Sequence, residues 1–239
     1  MSAAHLAIGL GVLFVGALIQ SSVGFGAALF AVPVLLLVDP RFVPGPATIA
    51  GMVLNVLMTV GHRADADRVG VRWIALGLAP GSLVALAALR LVPKDDLAVL
   101  SGAAVLLAVA ITTVGVVPRK RPATMAAAGV VSGFMGSTAA ISGPPLALLY
   151  QRDEARVLRG TLPSAFLVSS ALALVMLSLA DRLPADDWWI GLALAPGGLA
   201  GFVVGGRWLA GRVEGSVVRI AVLVVSTASA TLAIARALS

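Results

Sequence analysis

Apolar residues run along this chain in long blocks separated by short polar clusters, and ten blocks can be delimited. They cover approximately residues 5–20, 25–38, 45–61, 73–92, 97–117, 122–136, 143–150, 162–180, 188–205 and 217–238. At about 1.5 Å of rise per helical residue, the third to fifth and eighth to tenth blocks approach the ~30 Å hydrocarbon core of a bilayer. The first, second, sixth and seventh are short for it. The pattern predicts an all-α polytopic membrane protein.

The sixth and seventh blocks meet in residues 131–145, VSGFMGSTAAISGPP, which cannot form an ordinary span. Three glycines, two prolines and the hydroxyls of Ser132, Ser137, Thr138 and Ser142 fall within it. Pro144 and Pro145 remove two backbone donors and disfavour the α region at the preceding residue, so one helix should end here and another begin. A helix broken inside a bilayer frees peptide groups that lipid cannot satisfy, and it persists only where protein encloses it or a polar cavity adjoins it. Transporter substrate sites have this appearance. The first and second blocks show the same interruption at SSVGFG, residues 21–26.

A repeat relates the two interruptions. Residues 73–81 read WIALGLAPG and residues 189–197 read WIGLALAPG, an offset of 116. A shift of 117 places Gly16 on Gly133, Gln20 on Ser137, Ser21 on Thr138 and Gly26 on Gly143. The expected organisation is two five-segment halves in one integrated membrane domain: 1–121, with a broken pair at 5–38 and spans within 45–117, and 122–239, with a broken pair at 122–151 and spans within 162–238. Each half is a short broken or re-entrant helix pair plus three transmembrane helices. Three is odd, so the second half is expected to be an inverted repeat of the first.

Charge sets the expected orientation. Twelve of the seventeen Lys and Arg collect on one side of this topology, among them Arg63, Arg68, Arg72, Arg119, Lys120 and Arg121; Arg41, Arg90, Lys94, Arg182 and Arg236 are on the other. The richer side should be cytoplasmic, with both termini outside and the chain in the cell (inner) membrane. Trp73, Trp188, Trp189 and Trp208 fall at segment ends, where indoles are common. The N-terminus lacks a basic n-region and is expected to be retained.

Composition narrows function. The chain is 59% hydrophobic and 12% charged with a mean hydropathy of +1.04, and its net charge of +6 resides in loop arginines, so it is not expected to bind nucleic acid. With no cysteine, two histidines and no carboxylate inside a block, it offers no catalytic residues and is not expected to be an enzyme or to need a metal or cofactor. An anion can instead be held by helix N-termini, whose free N–H groups and dipole favour negative charge. Helices starting near Phe25 and Gly143 would supply them. Gly24, Gly26, Gly136 and Gly143 would allow close backbone approach, beside Phe25 and Pro144.

Gln20, Ser21, Ser22, Asn55, Ser137, Thr138 and Ser142 would add donors. Each hydroxyl has a plainer reading, bonding its own helix backbone or packing a helix interface. Pro80 and Pro196 read as kinks. Tyr150 and Gln151 read as interfacial, Asp65, Asp67, Asp153 and Glu154 as solvated loop charges, and His62 as a surface residue.

The pattern G-x-x-x-Q-S-x-x-G-F-G-x-x-x-x-x-x-P, formed by Gly16, Gln20, Ser21, Gly24, Phe25, Gly26 and Pro33, has a counterpart in the second half. That counterpart is S-G-x-x-G-x-x-x-x-x-x-G-P-P, formed by Ser132, Gly133, Gly136, Gly143, Pro144 and Pro145. Together they resemble the sulfite exporter TauE/SafE family of membrane permeases, over essentially the whole chain. The resemblance implies transport of small sulfur-containing anions such as sulfite or organosulfonates, other small organic anions remaining open. A secondary carrier working by alternating access is the expected mechanism, with a passive anion channel as the alternative. Expected partners are the small anion and the lipid bilayer, with a homodimer left open.

Overall fold

The computed structural model describes residues 2–23, 26–93, 96–114, 118–208 and 215–238, with side chains for all of these except 22–23, 207–208, 215–219 and 238. Among them are ten α-helices and no strand. These are α1 (Ala3–Val23), α2 (Ala27–Val38), α3 (Gly45–His62), α4 (Arg68–Leu91), α5 (Leu97–Val114), α6 (Pro122–Ala139), α7 (Gly143–Tyr150), α8 (Ala155–Leu179), α9 (Ala185–Trp208) and α10 (Gly215–Leu238), with a 3-10 turn at Pro40–Phe42. Six of them, α1, α4, α5, α8, α9 and α10, are long and apolar enough to cross a membrane by length and composition.

The helices correspond to the ten apolar blocks, and the boundary differences have local causes. α1 continues through Ser21 to Val23 and so reaches spanning length, because the Ser21 hydroxyl donates back to Leu18 O at 2.8 Å instead of ending the helix. α6 absorbs Ser137 and Thr138 in the same way, Thr138 Oγ1 donating to Phe134 O at 2.8 Å. α4 starts at Arg68 because the Asp67 side chain accepts from Gly70 N at 2.8 Å, an N-cap. α8 starts at Ala155, so Arg156 and Arg159 lie on its first turns rather than in a loop. Pro80 and Pro196 face outward from α4 and α9.

The main helix contacts come in matched pairs. α1 packs on α9 as α6 packs on α4, α3 packs on α9 as α8 packs on α4, and α2 packs on α10 as α7 packs on α5. α3 meets α8, and α5 meets α10. Exchanging the first five helices for the last five leaves this set of contacts unchanged.

The two tightest contacts rest on missing side chains. Gly77 and Gly81 of α4 lie on the backbone of Ala126 and Val130, while Gly129 and Gly133 of α6 lie on that of Ile74 and Leu78. A methyl built on Gly133 would come within 3.0 Å of Leu78 Cα. On the other side of the fold, Gly197 and Gly201 of α9 meet the backbone of Leu10 and Phe14 in α1. Lipid tails are as apolar as leucine, so helices associate in a bilayer largely by such close packing.

Polar contacts gather the loops at two ends. At one, Asp39 accepts from Arg41 Nη2 at 2.7 Å and lies 3.3 Å from His5 Nδ1, which ties the start of α1 to the end of α2. The Arg41 guanidinium holds the Asp39 carboxyl down to about 2, against the cost of its burial. Here too Arg90 Nη2 donates to Leu179 O at 3.0 Å and Arg182 Nη2 to Leu89 O at 2.9 Å. At the other end Lys120 Nζ pairs with Asp153 at 2.6 Å, and Tyr150 Oη donates to Asp67 at 3.0 Å.

Two expectations fail at this second end. Tyr150 is fully buried rather than interfacial, because Gly70 leaves room for its hydroxyl, and Lys120 Nζ lies 4.7 Å from its ring centroid. Asp67 and Asp153 are bonded rather than merely solvated. A third difference lies on α9, whose first turn carries Asp187, 9% exposed and beside Gly45, inside a helix that begins three residues before the predicted block.

Replacing Gly133 with leucine should lower the thermal midpoint of the detergent-solubilised protein, by about 1–3 kcal/mol of overpacking. Gly11, with nothing within 4 Å of its added methyl, should accept alanine with no loss. Equal midpoints for the two variants would contradict the packing account.

Candidate functional site

A cavity of about 100 Å³ lies where the two helix breaks come together. Its walls include the first turn of α2, the α6–α7 junction, Gln20 of α1, Asn55 of α3 and Ser169 of α8. A water occupies roughly 30 Å³ of liquid, so this space suits a solute of a few heavy atoms.

Local backbone geometry leaves unpaired donors beside it. Gly26 is the N-cap of α2 at φ 109°, a left-handed conformation that glycine adopts without penalty. The intrahelical ladder of α2 begins with Phe30 N on Gly26 O at 3.1 Å, so the N–H groups of Gly26, Ala27, Ala28 and Leu29 have no acceptor within the helix. All four residues line the cavity.

The α6–α7 junction treats its acceptors and donors differently. Ala140 caps α6 at φ 57°, a conformation that costs a non-glycine residue about 1–2 kcal/mol. In return Ala140 N reaches Gly136 O at 3.0 Å and Ile141 N reaches Met135 O at 3.4 Å, while Ser101 Oγ of α5 donates to Thr138 O at 2.8 Å. The carbonyls of Met135, Gly136 and Thr138 at the end of α6 are thus occupied. α7 begins at Gly143 with Pro144 and Pro145 in its first turn, where a helix needs no donor, which is why the prolines start this helix. The remaining first-turn donors are Ser142 N and Gly143 N.

Side chains complete the wall. Asn55 is 7% exposed, lines the cavity and has no hydrogen-bond partner for its amide among the described residues. Gln20, 6% exposed, reaches only the thioether of Met58, at 3.3 Å. Ser142 Oγ and Ser169 Oγ share a 2.6 Å hydrogen bond that fastens the start of α7 to α8. None of the described lining residues is ionisable.

Of the residues named from sequence, Gln20, Gly26, Asn55, Gly136, Ser142, Gly143 and Pro144 line this cavity. Ser21 and Thr138 bond their own helix backbones instead, and Ser137 is buried away from the cavity with its hydroxyl unpaired among the described residues. Gly24, Phe25 and the Ser22 side chain lie outside the described residues. Sequence reading missed Thr48, Gly51, Phe166, Ser169, Ser170 and Gly198. A signal for two of them existed: Thr48, Gly51 and Asn55 stand at helical spacing on one face of α3.

A family model described as sulfite exporter TauE/SafE matches residues 8–232 of the chain. No curated protein and no solved structure matches it.

The Ser142–Ser169 bond should be measurable as a coupling. A double-mutant cycle with Ser142→Ala and Ser169→Ala, followed by thermal unfolding in detergent, should return about 1 kcal/mol of interaction energy. Strict additivity of the two substitutions would mean that the bond does not hold α7 to α8.

Proposed function

The chain belongs to the sulfite exporter TauE/SafE family, and on that premise we propose that it is a secondary carrier exporting sulfite or a small organosulfonate, with the substrate held between the two broken helix pairs. The observation that carries this reading is the cavity itself. Two helix N-termini, the amides of Gln20 and Asn55 and a pair of serine hydroxyls converge on a space of about 100 Å³. Donors are plentiful there and anionic side chains are absent from the described wall, which is the chemistry an oxyanion requires.

Alternating access is supported by the packing. The main helix pairings recur when the halves are exchanged, and α1–α2 enter from the end holding Asp39 whereas α6–α7 enter from the end holding Tyr150. Two repeats of inverted orientation have this arrangement, and rocking one against the other would expose a central site to each side in turn. With the Lys120 end cytoplasmic and both termini outside, the membrane potential drives a singly charged anion outward by about 2.3 kcal/mol per 100 mV. Export then needs no coupling ion.

Purified protein in proteoliposomes should give saturable counterflow of sulfite or methanesulfonate. Asn55→Leu should cut the flux about tenfold or more, since a lost donor to a buried charge is worth roughly 1.5–3 kcal/mol. Thr113→Ala, at an exposed hydroxyl on α5, should leave it unchanged. Absence of anion counterflow by the wild-type protein would end the proposal, and an Asn55→Leu variant of full activity would move the site elsewhere.

Orientation has a clean test because the chain has no cysteine. In intact cells a membrane-impermeant thiol reagent should label Ala185→Cys and leave Arg119→Cys unlabelled until the cells are opened. The reverse pattern would invert the topology.

A further inference from the structure

We infer that the site accepts singly charged anions and rejects doubly charged ones, so that sulfite crosses as its protonated form, bisulfite. This rests on the carrier reading above and adds the charge state of the substrate to it. The inference comes from counting the positive charge that the cavity offers. No Lys, Arg or His lines it among the described residues, and the ion-paired arginines and lysine sit at the two ends of the helices. What remains are two helix N-termini, those of α2 and α7, each equivalent to about half an elementary charge.

Together they offset at most about one negative charge. α7 contributes the smaller part, because Pro144 and Pro145 leave only Ser142 and Gly143 as first-turn donors. The cost of taking an ion out of water grows with the square of its charge and its attraction to the helix termini only in proportion to it, so a dianion would incur about four times the penalty of a monoanion against about twice the compensation. Neutral donors stabilise both forms, and here they would have to supply the whole of that difference.

The lining also suits the rest of a monoanion. Asn55, buried and without a partner for its amide, presents a carbonyl as well as an NH₂, and the Gln20 carbonyl is likewise without a bonded partner among the described residues. Either can accept a hydrogen bond from the proton that bisulfite carries and sulfite lacks. Leu29, Val32, Leu54 and Phe166 form an apolar wall on which the carbon substituent of a short sulfonate can rest.

Four anions separate the outcomes, each assayed as initial uptake into proteoliposomes with protein-free vesicles subtracted. Methanesulfonate keeps one charge throughout and should move at a rate independent of pH between about 6 and 8.5. Sulfite uptake at fixed total concentration should fall about tenfold per pH unit once bisulfite ionises. Sulfate and thiosulfate, doubly charged, should neither move nor slow methanesulfonate. If sulfite uptake holds steady or rises with pH, or sulfate competes as well as sulfite does, the charge rule is overturned while the carrier stands. If the wild-type protein moves none of the four, the carrier reading fails and the rule with it.

Discussion

A peptide group placed inside a bilayer must find its partner within the protein or on a polar cavity, and this chain breaks two helices beside one. The cost falls unequally on donors and acceptors. At the end of α6 the carbonyls of Met135, Gly136 and Thr138 are met by Ile141 N, Ala140 N and Ser101 Oγ. At the starts of α2 and α7 the N–H groups have no intrahelical acceptor and border the cavity. An asymmetric break of this kind leaves a local excess of positive potential without any charged residue.

That arrangement depends on how closely the surrounding helices approach. Gly77, Gly81, Gly129 and Gly133 bring α4 and α6 together backbone to backbone, and Gly197 and Gly201 do the same for α9 on α1. Each broken pair thereby packs on a long helix from the other five helices of the chain. In a soluble protein an apolar core would share this task. Within lipid, contact at van der Waals distance is the main resource, and a single methyl in the wrong place removes it.

Much of this was legible in the pattern of apolar blocks. The ten helices and the convergence of Gln20, Gly26, Asn55 and Gly143 follow from length, glycine and proline placement, and the cost of burying amides, whereas α1 is longer than its apolar block suggested. What could not be read depends on where a hydroxyl points. Ser21 and Thr138 looked like part of the break but satisfy carbonyls of their own helices, while Ser169 and Ser170 looked like ordinary span serines and face the cavity. One-dimensional spacing does not distinguish those cases, because both bonds are within reach of the same side chain. Tyr150 failed for a related reason: its burial needs a glycine at position 70, eighty residues away in the chain.

The placement of cations completes the logic. Arg182 donates to Leu89 O and Val92 O at the end of α4, Arg90 to Leu179 O at the end of α8, and Arg236 to Leu37 O at the end of α2. Guanidinium groups therefore sit at helix C-termini, where the dipole is negative. α2 runs from that capped surface end to an N-terminus opening on the cavity, so its dipole is compensated outside and left exposed inside. A fixed arginine at the inner end would bind an anion more tightly, but it would have to be left behind, unpaired, each time the anion departed. A site built from backbone dipoles carries only partial charge when empty, and in the proposed carrier a weakly held anion can leave on the other side.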